Sequence, residues 1–456
     1  MGAVARVLFD HYRCPEAFLD LRVGDCLSEN AGFFRFGPRA ICYGRSSVGY
    51  LRSRVEPVLY DVTEDVTSHN YEVCLPFDLT EIVENLRQER YPGAQDSRIS
   101  ALAKEAYYLL RPMLHRSLIR QIQKFQLRGW KHRQFPSWPV DRTVENICEQ
   151  LLLLALKASG ADRIPFIWFW PEGATSALMM THDVETEAGR NFCSELMDID
   201  DSFGIKASFQ IIPERRYSIS AQFLAAIRDR GFEIAIQDLN HDGRLFNDRK
   251  EFLRRANLIN EYARVYGAKG FRAAVLYRKP DWYDAFDFSF DMSIPNTAHL
   301  DPQRGGCCTI MPYLIGSILE LPVTTTQDYM LFHLLGERSI DLWKRQIKLI
   351  AEKNGLISLI VHPDYVVHDE VKSLYKDLLK YLRELQATTG TWATLPSEVD
   401  RWWRARSKMQ VVPSGNEWRI EGDGAERAVL AYARNADGKL IYEVEPDRKE
   451  ISQLRD

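Results

Sequence analysis

Residues Ala177–Glu185 read ALMMTHDVE, and the fold turns on how that stretch is read. An apolar run that closes on Asp183 and Glu185 predicts a buried strand with an acidic end. Strand side chains alternate between faces, so Asp183 and Glu185 point one way and His182 and Val184 the other. Two carboxylates at the C-terminal mouth of a strand suit metal binding or general-base chemistry in an α/β barrel. The plain alternative is a solvated turn after a core strand.

The rhythm downstream of this strand separates the two readings. From Ala177 to about Trp403, strand and helix patterns alternate. Strands are expected at Ala177–Asp183, Ala207–Ile212, Phe232–Gln237, Gly270–Ala273, Ser289–Asp291, Ile318–Val323 and Leu356–His362. Helices are expected between them at Arg190–Phe203, Ala221–Arg230, Lys250–Tyr266, Asp341–Lys353 and Val371–Ala387. Such a series implies parallel strands joined by crossover helices, as a doubly wound sheet or a (β/α) barrel. Upstream, short strands such as Tyr71–Pro76 mix with helices at Asp78–Arg90, Ser100–Lys124 and Val144–Ser159, the last closed by Gly160. Beyond Met409, EWRI, AVLAYA and KLIYEV read as short strands, with Asp437–Gly438 as a hairpin turn. The expected division is therefore an N-terminal α+β region over 1–165, an α/β domain over 166–403 and a small β appendage over 404–456.

Composition narrows the class. The 456 residues are 45% hydrophobic and 27% charged, as in a folded soluble chain, and exceed one ordinary core. A net charge of −4 argues against a nucleic-acid partner or a polybasic membrane surface. The apolar run Ile164–Trp170 is far short of the roughly 20 residues of a membrane span. The N-terminus lacks the apolar core of a secretory signal, and the eight cysteines are scattered without C-x-x-C, so a cytoplasmic protein with reduced thiols is expected. No P-loop or G-x-G-x-x-G occurs, and Gly44–Gly49 has the wrong spacing for a nucleophile elbow.

Five polar features follow in order: Thr181-His-Asp-Val-Glu185, Gln237 with His241 four residues on, Phe271-Arg272, Asp291, and His362 at the tip of LISLIVHPDY. In this order they resemble the polysaccharide deacetylases of the NodB-homology class, carbohydrate esterase family four, over roughly residues 175–400. The resemblance implies a distorted (β/α) barrel of about seven strands and a hydrolase acting on carbon–nitrogen bonds other than peptide bonds. It also implies one divalent metal, zinc first among the expectations. Carried over by position, Asp183 matches the water-activating base, Arg272 the arginine that orients it and His362 the acid that protonates the leaving amine. Asp291 matches the acidic partner of that acid. Glu185, His241 and Gln237 match the metal ligands.

Three departures matter. Val184 stands where the family has its acidic ligand, and Glu185, one further and on the Asp183 face, is the substitute. Ala274 replaces a proline. Gln237 replaces the first histidine, and an amide oxygen is a poor zinc ligand beside imidazole. Another residue such as Asp242 or His182 then completes the shell, or a harder metal is used, or catalysis is lost. The expected substrate is an N-acylated sugar or polysaccharide intermediate. The alternatives are a small non-sugar amide, or a catalytically impaired barrel that binds carbohydrate or acts as a scaffold. Trp282, Tyr283 and Tyr277 could stack on a sugar ring or simply pack.

Overall fold

The computed structural model describes residues 3–24, 26–69, 72–94, 121–122, 124–125, 127 and 129–445. Most of the helix expected at Ser100–Lys124, and Tyr71 of the strand expected at Tyr71–Pro76, lie outside them. The chain divides into two compact units that interleave in sequence: 1–92, 142–175 and 401–456 in one, 93–141 and 176–400 in the other.

In the first unit, strand Glu72–Leu75 pairs in parallel with Leu21–Val23 and antiparallel with Thr67–His69. Helix Thr143–Ser159 ends where Gly160 takes a left-handed φ of 62°. The C-terminal tail is no separate appendage. Leu430–Ala436 pairs antiparallel with Arg163–Ile167, burying Ile164, Phe166 and Ile167 in a shared core, and also with Lys439–Val444 across the turn at Asp437–Gly438. A buried strand needs ladder partners for its N–H and C=O groups, and here they come from the far end of the chain. The expected boundaries near 165 and 403 accordingly fall inside this unit's grouping, whose breaks lie at 175 and 401.

The second unit carries the alternating strands and helices. Its sheet has nine strands: β1 Ala177–Val184, β2 Ala207–Ile211, β3 Glu233–Gln237, β4 Gly270–Arg272, β5 Phe290–Asp291, β6 Tyr313–Ile315, β7 Ile318–Glu320, β8 Leu356–Val361 and β9 Trp392–Ala393. They run in the order β6-β7-β5-β4-β3-β2-β1-β8, with β9 also on β1. Among the described residues, β6 pairs antiparallel with β7 and the other pairings in this sheet are parallel. Between the end strands, the Thr324 and Thr325 hydroxyls donate to the Leu356 and Ser358 carbonyls, and Ser358 N–H donates back to Thr324 Oγ1. Those side chains bring the run after β7 onto β8 without a full ladder, which curls the sheet into a distorted barrel.

Every residue of β1 and of β8 is buried, as expected for parallel strands covered on both faces. Helices α1 Glu187–Ser202, α2 Ala221–Asp229, α3 Arg249–Tyr266, α4 Asp341–Ala351 and α5 Asp369–Thr389 supply the outer layer. Thr186, Ser220 and Asp248 cap the first three through side-chain oxygens that accept from backbone N–H groups. Leu178 and Met180 share one core cluster with Leu196 of α1 and Leu378 and Leu382 of α5. Among the described residues, no helix is long and apolar enough to cross a membrane.

Candidate functional site

Register brings the polar residues to one end of the sheet. Asp183 on β1 lies opposite Gln210 of β2, Gln237 closes β3 opposite Arg272 at the end of β4, and His362 follows the last residue of β8. Strand alternation fixes the faces as expected. His182 points away from the site into a second network, where its Nε2 lies 2.9 Å from Asp200 Oδ2 and its Nδ1 3.1 Å from the Val361 carbonyl. The Tyr375 hydroxyl donates to the other Asp200 oxygen at 2.5 Å. His182 is thus excluded as a site ligand.

Asp183 is 3% exposed and held from two sides. Arg272 Nη1 donates to its Oδ1 at 2.7 Å, and Gln237 Nε2 donates to its Oδ2 at 3.1 Å. Arg272 is fully buried and is itself fixed by Thr181 Oγ1 and the Met292 carbonyl. Among the described residues, its Nη2 has no hydrogen-bond partner, nor has Gln237 Oε1.

His362 is oriented by a carboxylate, but not the expected one. Asp328 Oδ1 lies 2.6 Å from His362 Nδ1, while Asp328 Oδ2 accepts from the His362 backbone N–H at 2.8 Å. Burial would lower the His362 pKa, but the Asp328 charge outweighs it and lifts the imidazole well above its ordinary value. Asp291, matched to this role in sequence, instead accepts from Ser293 Oγ at 2.7 Å and pairs in register with Glu320 of β7. Burial raises the pKa of both carboxyls, Glu320 the more strongly, because a second charge beside Asp291 would be uncompensated. Asp291 is therefore part of a buried carboxyl pair inside the barrel and does not touch His362.

Glu185 sits between two imidazoles. Its Oε1 lies 2.9 Å from His241 Nε2 and 3.6 Å from His362 Nε2. Burial alone would raise its pKa, but the two histidines outweigh that and hold it well below the carboxylate range. Asp364 fixes the turn beneath it, accepting from Glu185 N–H at 3.0 Å and from the Thr186 hydroxyl. His241 adopts a left-handed φ of 55°, in a loop where Asp242 is held by a two-pronged Arg255 contact at 2.8 and 2.9 Å. Asp242 is committed to that pair and does not complete a metal shell. Arg216 Nη2 donates to His241 Nδ1 at 3.1 Å and to the His241 carbonyl at 2.9 Å. Tyr217 anchors the arginine's loop, accepting from Ile212 N–H and donating to the Val184 carbonyl.

The donor set does not fit the divalent metal that the resemblance implies. A catalytic zinc takes three protein ligands, and a ligating imidazole normally donates its second N–H to a carboxylate or carbonyl. Here the second nitrogen of His241 faces a guanidinium. Arginine has no acceptor, so Nδ1 must carry the lone pair and the proton of the neutral ring sits on Nε2, the atom a metal would need. Gln237 offers a neutral amide whose N–H is spent on Asp183. Glu185, His241 and His362 lie together, but among the described residues no group of three His, Cys, Asp or Glu side chains is arranged to hold a metal ion.

The structure thus brings together Asp183, Glu185, Gln237, His241, Arg272 and His362 and leaves Asp291 out. Sequence reasoning missed Asp328 and Arg216. Tyr277 and Tyr283 are core residues, and Trp282 packs on Phe252 with ring centroids 5.2 Å apart. The aromatic ring beside the site is Tyr365, 5.4 Å from the His362 ring and stacked with Tyr329.

No family description matches the chain, and no curated relative matches it. Among solved structures, a protein from Mycobacterium smegmatis described as a polysaccharide deacetylase is 18% identical, with 55% of this chain and 98% of that one covered and a TM-score of 0.43. A protein from Pseudomonas aeruginosa PAO1 with the same description is 13% identical over 51% of this chain and 91% of its own, at a TM-score of 0.40. An allantoinase is 13% identical over 52% and 92%, at 0.41.

Proposed function

We propose that the second unit is an amide hydrolase of the deacetylase type, removing an N-acyl group from a sugar or glycan intermediate. One observation carries this reading: two buried proton carriers, Asp183 on Arg272 at 2.7 Å and His362 on Asp328 at 2.6 Å, stand at the ends of the neighbouring strands β1 and β8. In that arrangement Asp183 takes a proton from water as the water oxygen bonds to the acyl carbon. His362 Nε2–H then gives a proton to the departing nitrogen, yielding a carboxylic acid and a free amine. Arg272 holds Asp183 in place, and Asp328, accepting from His362 Nδ1–H, raises the basicity of the ring so that Nε2 carries the second proton. Tyr365 supplies an apolar face beside the acid on which a sugar ring can stack.

A second reading is a barrel that binds the acylated sugar without cleaving it. It is favoured by Gln237, whose amide N–H engages the Asp183 oxygen that Arg272 leaves open. The two readings part in one assay. Acid and amine are measured after incubation with N-acetylated oligosaccharides, and binding is measured alongside by calorimetry. Release that Asp183→Asn and His362→Asn each abolish supports the hydrolase; binding with no release supports the second reading.

A further inference from the structure

The atoms left unpaired around Gln237 and His241 describe a ligand, and it is not a cation. Gln237 is 1% exposed and its Oε1, an acceptor, has no hydrogen-bond partner among the described residues. His241 is 5% exposed, and its Nε2 lies 2.9 Å from the Glu185 carboxylate. With Arg216 on Nδ1, that Nε2 is a donor. A cation needs several lone pairs, whereas the imidazole here turns an N–H toward Glu185, and the oxygens without a partner among the described residues of the loop from Gln237 to His241 are Gln237 Oε1 and Asp238 Oδ2. A buried acceptor without a partner is costly, so Gln237 Oε1 is a standing demand for a group that donates. A hydroxyl meets it, donating to Gln237 Oε1.

We propose that the Arg216–His241–Glu185 chain replaces the metal position of this barrel, and that Gln237 Oε1 receives a neutral hydroxyl of the ligand without any metal. The ligand half rests on the proposed function, whereas the metal half does not.

The metal half is read on the full chain by elemental analysis after purification from zinc-supplemented medium, and by calorimetric titration with zinc. No stoichiometric metal and no zinc heat are expected. Gln237→His alone should gain little zinc affinity, because Arg216 still holds the proton on Nε2 of His241. Gln237→His with Arg216→Gln should gain at least about tenfold over that single variant. Near-stoichiometric metal in the unaltered chain, or full zinc binding by the single variant, would overturn the proposal. The ligand half is read by titrating N,N′-diacetylchitobiose in the presence of chelator. Gln237→Leu should weaken binding at least about fivefold, a loss of one hydrogen bond to a buried acceptor; unchanged affinity would overturn it. Absence of acid release from the same sugar would count against the hydrolase alone, since neither readout here depends on turnover.

Discussion

Replacing Arg272 with methionine isolates the interaction on which the site depends. Arg272 is fully buried, and the Asp183 side chain it pairs with is 4% exposed, so the substitution leaves a carboxylate in the barrel with only the neutral Gln237 amide and any entering water to support it. Breaking a buried pair by removing one partner costs about 3–5 kcal/mol, because the survivor's charge is uncompensated. Replacing both partners costs much less, since methionine fills most of the arginine's volume and asparagine keeps a polar contact to Gln237 without a charge. The expected order of stability in urea, followed by tryptophan fluorescence at neutral pH, is wild type, then Arg272→Met with Asp183→Asn, then Arg272→Met alone. The double variant should recover at least about 2 kcal/mol of the single variant's loss. A single substitution costing under about 1 kcal/mol, or a double variant no better than the single, would refute the claim that a desolvated ion pair organises the site.

Other predictions concern the surroundings. In the Asp291–Glu320 pair burial raises both pKa values, so the folded state keeps protons that the unfolded chain releases, and stability should fall as pH rises above the unfolded carboxyl range of about 4. Glu320→Gln removes that demand, and its stability relative to wild type should improve between about pH 5 and pH 8; parallel profiles would contradict the shared-proton account. Gly189→Ala would place a Cβ 2.5 Å from the Asp364 carboxylate, dislodging the side chain that holds the Glu185 turn. Overpacking of about 1–3 kcal/mol should outweigh the gain of roughly 1 kcal/mol from helix propensity, so the melting temperature should drop; a rise would contradict this. Asp328→Asn should cut acid release at least about 100-fold while leaving sugar binding nearly unchanged, and equal losses in both would assign Asp328 a purely structural role.

Much of the barrel can be read from local pattern, because its strands are short apolar runs and its helices begin at Thr186, Ser220 and Asp248, side chains that cap by their own chemistry. Asp183, Arg272 and His362 are equally legible, since each ends a strand or directly follows one, and alternation fixes which way Asp183 points. Asp328 is not, because it lies at the start of a π-helical turn, Tyr329–Leu335, after a threonine-rich loop with no periodicity. Motif order alone assigns Asp291 to the acid, yet its register opposite Glu320 sets a different partner, and register is a property of strand pairing that one strand does not encode. Arg216 is hidden for the same reason: only the fold brings a loop arginine onto a histidine 25 residues away. The tail's attachment to Arg163–Ile167 likewise depends on a pairing across more than half of the chain.

The most direct measurement is acetate release from N-acetylated chito-oligosaccharides by the purified chain, with and without chelator, beside an Asp183→Asn/His362→Asn variant. The account predicts release that the chelator leaves unchanged and that the variant abolishes. No release above the variant's level under either condition would contradict it.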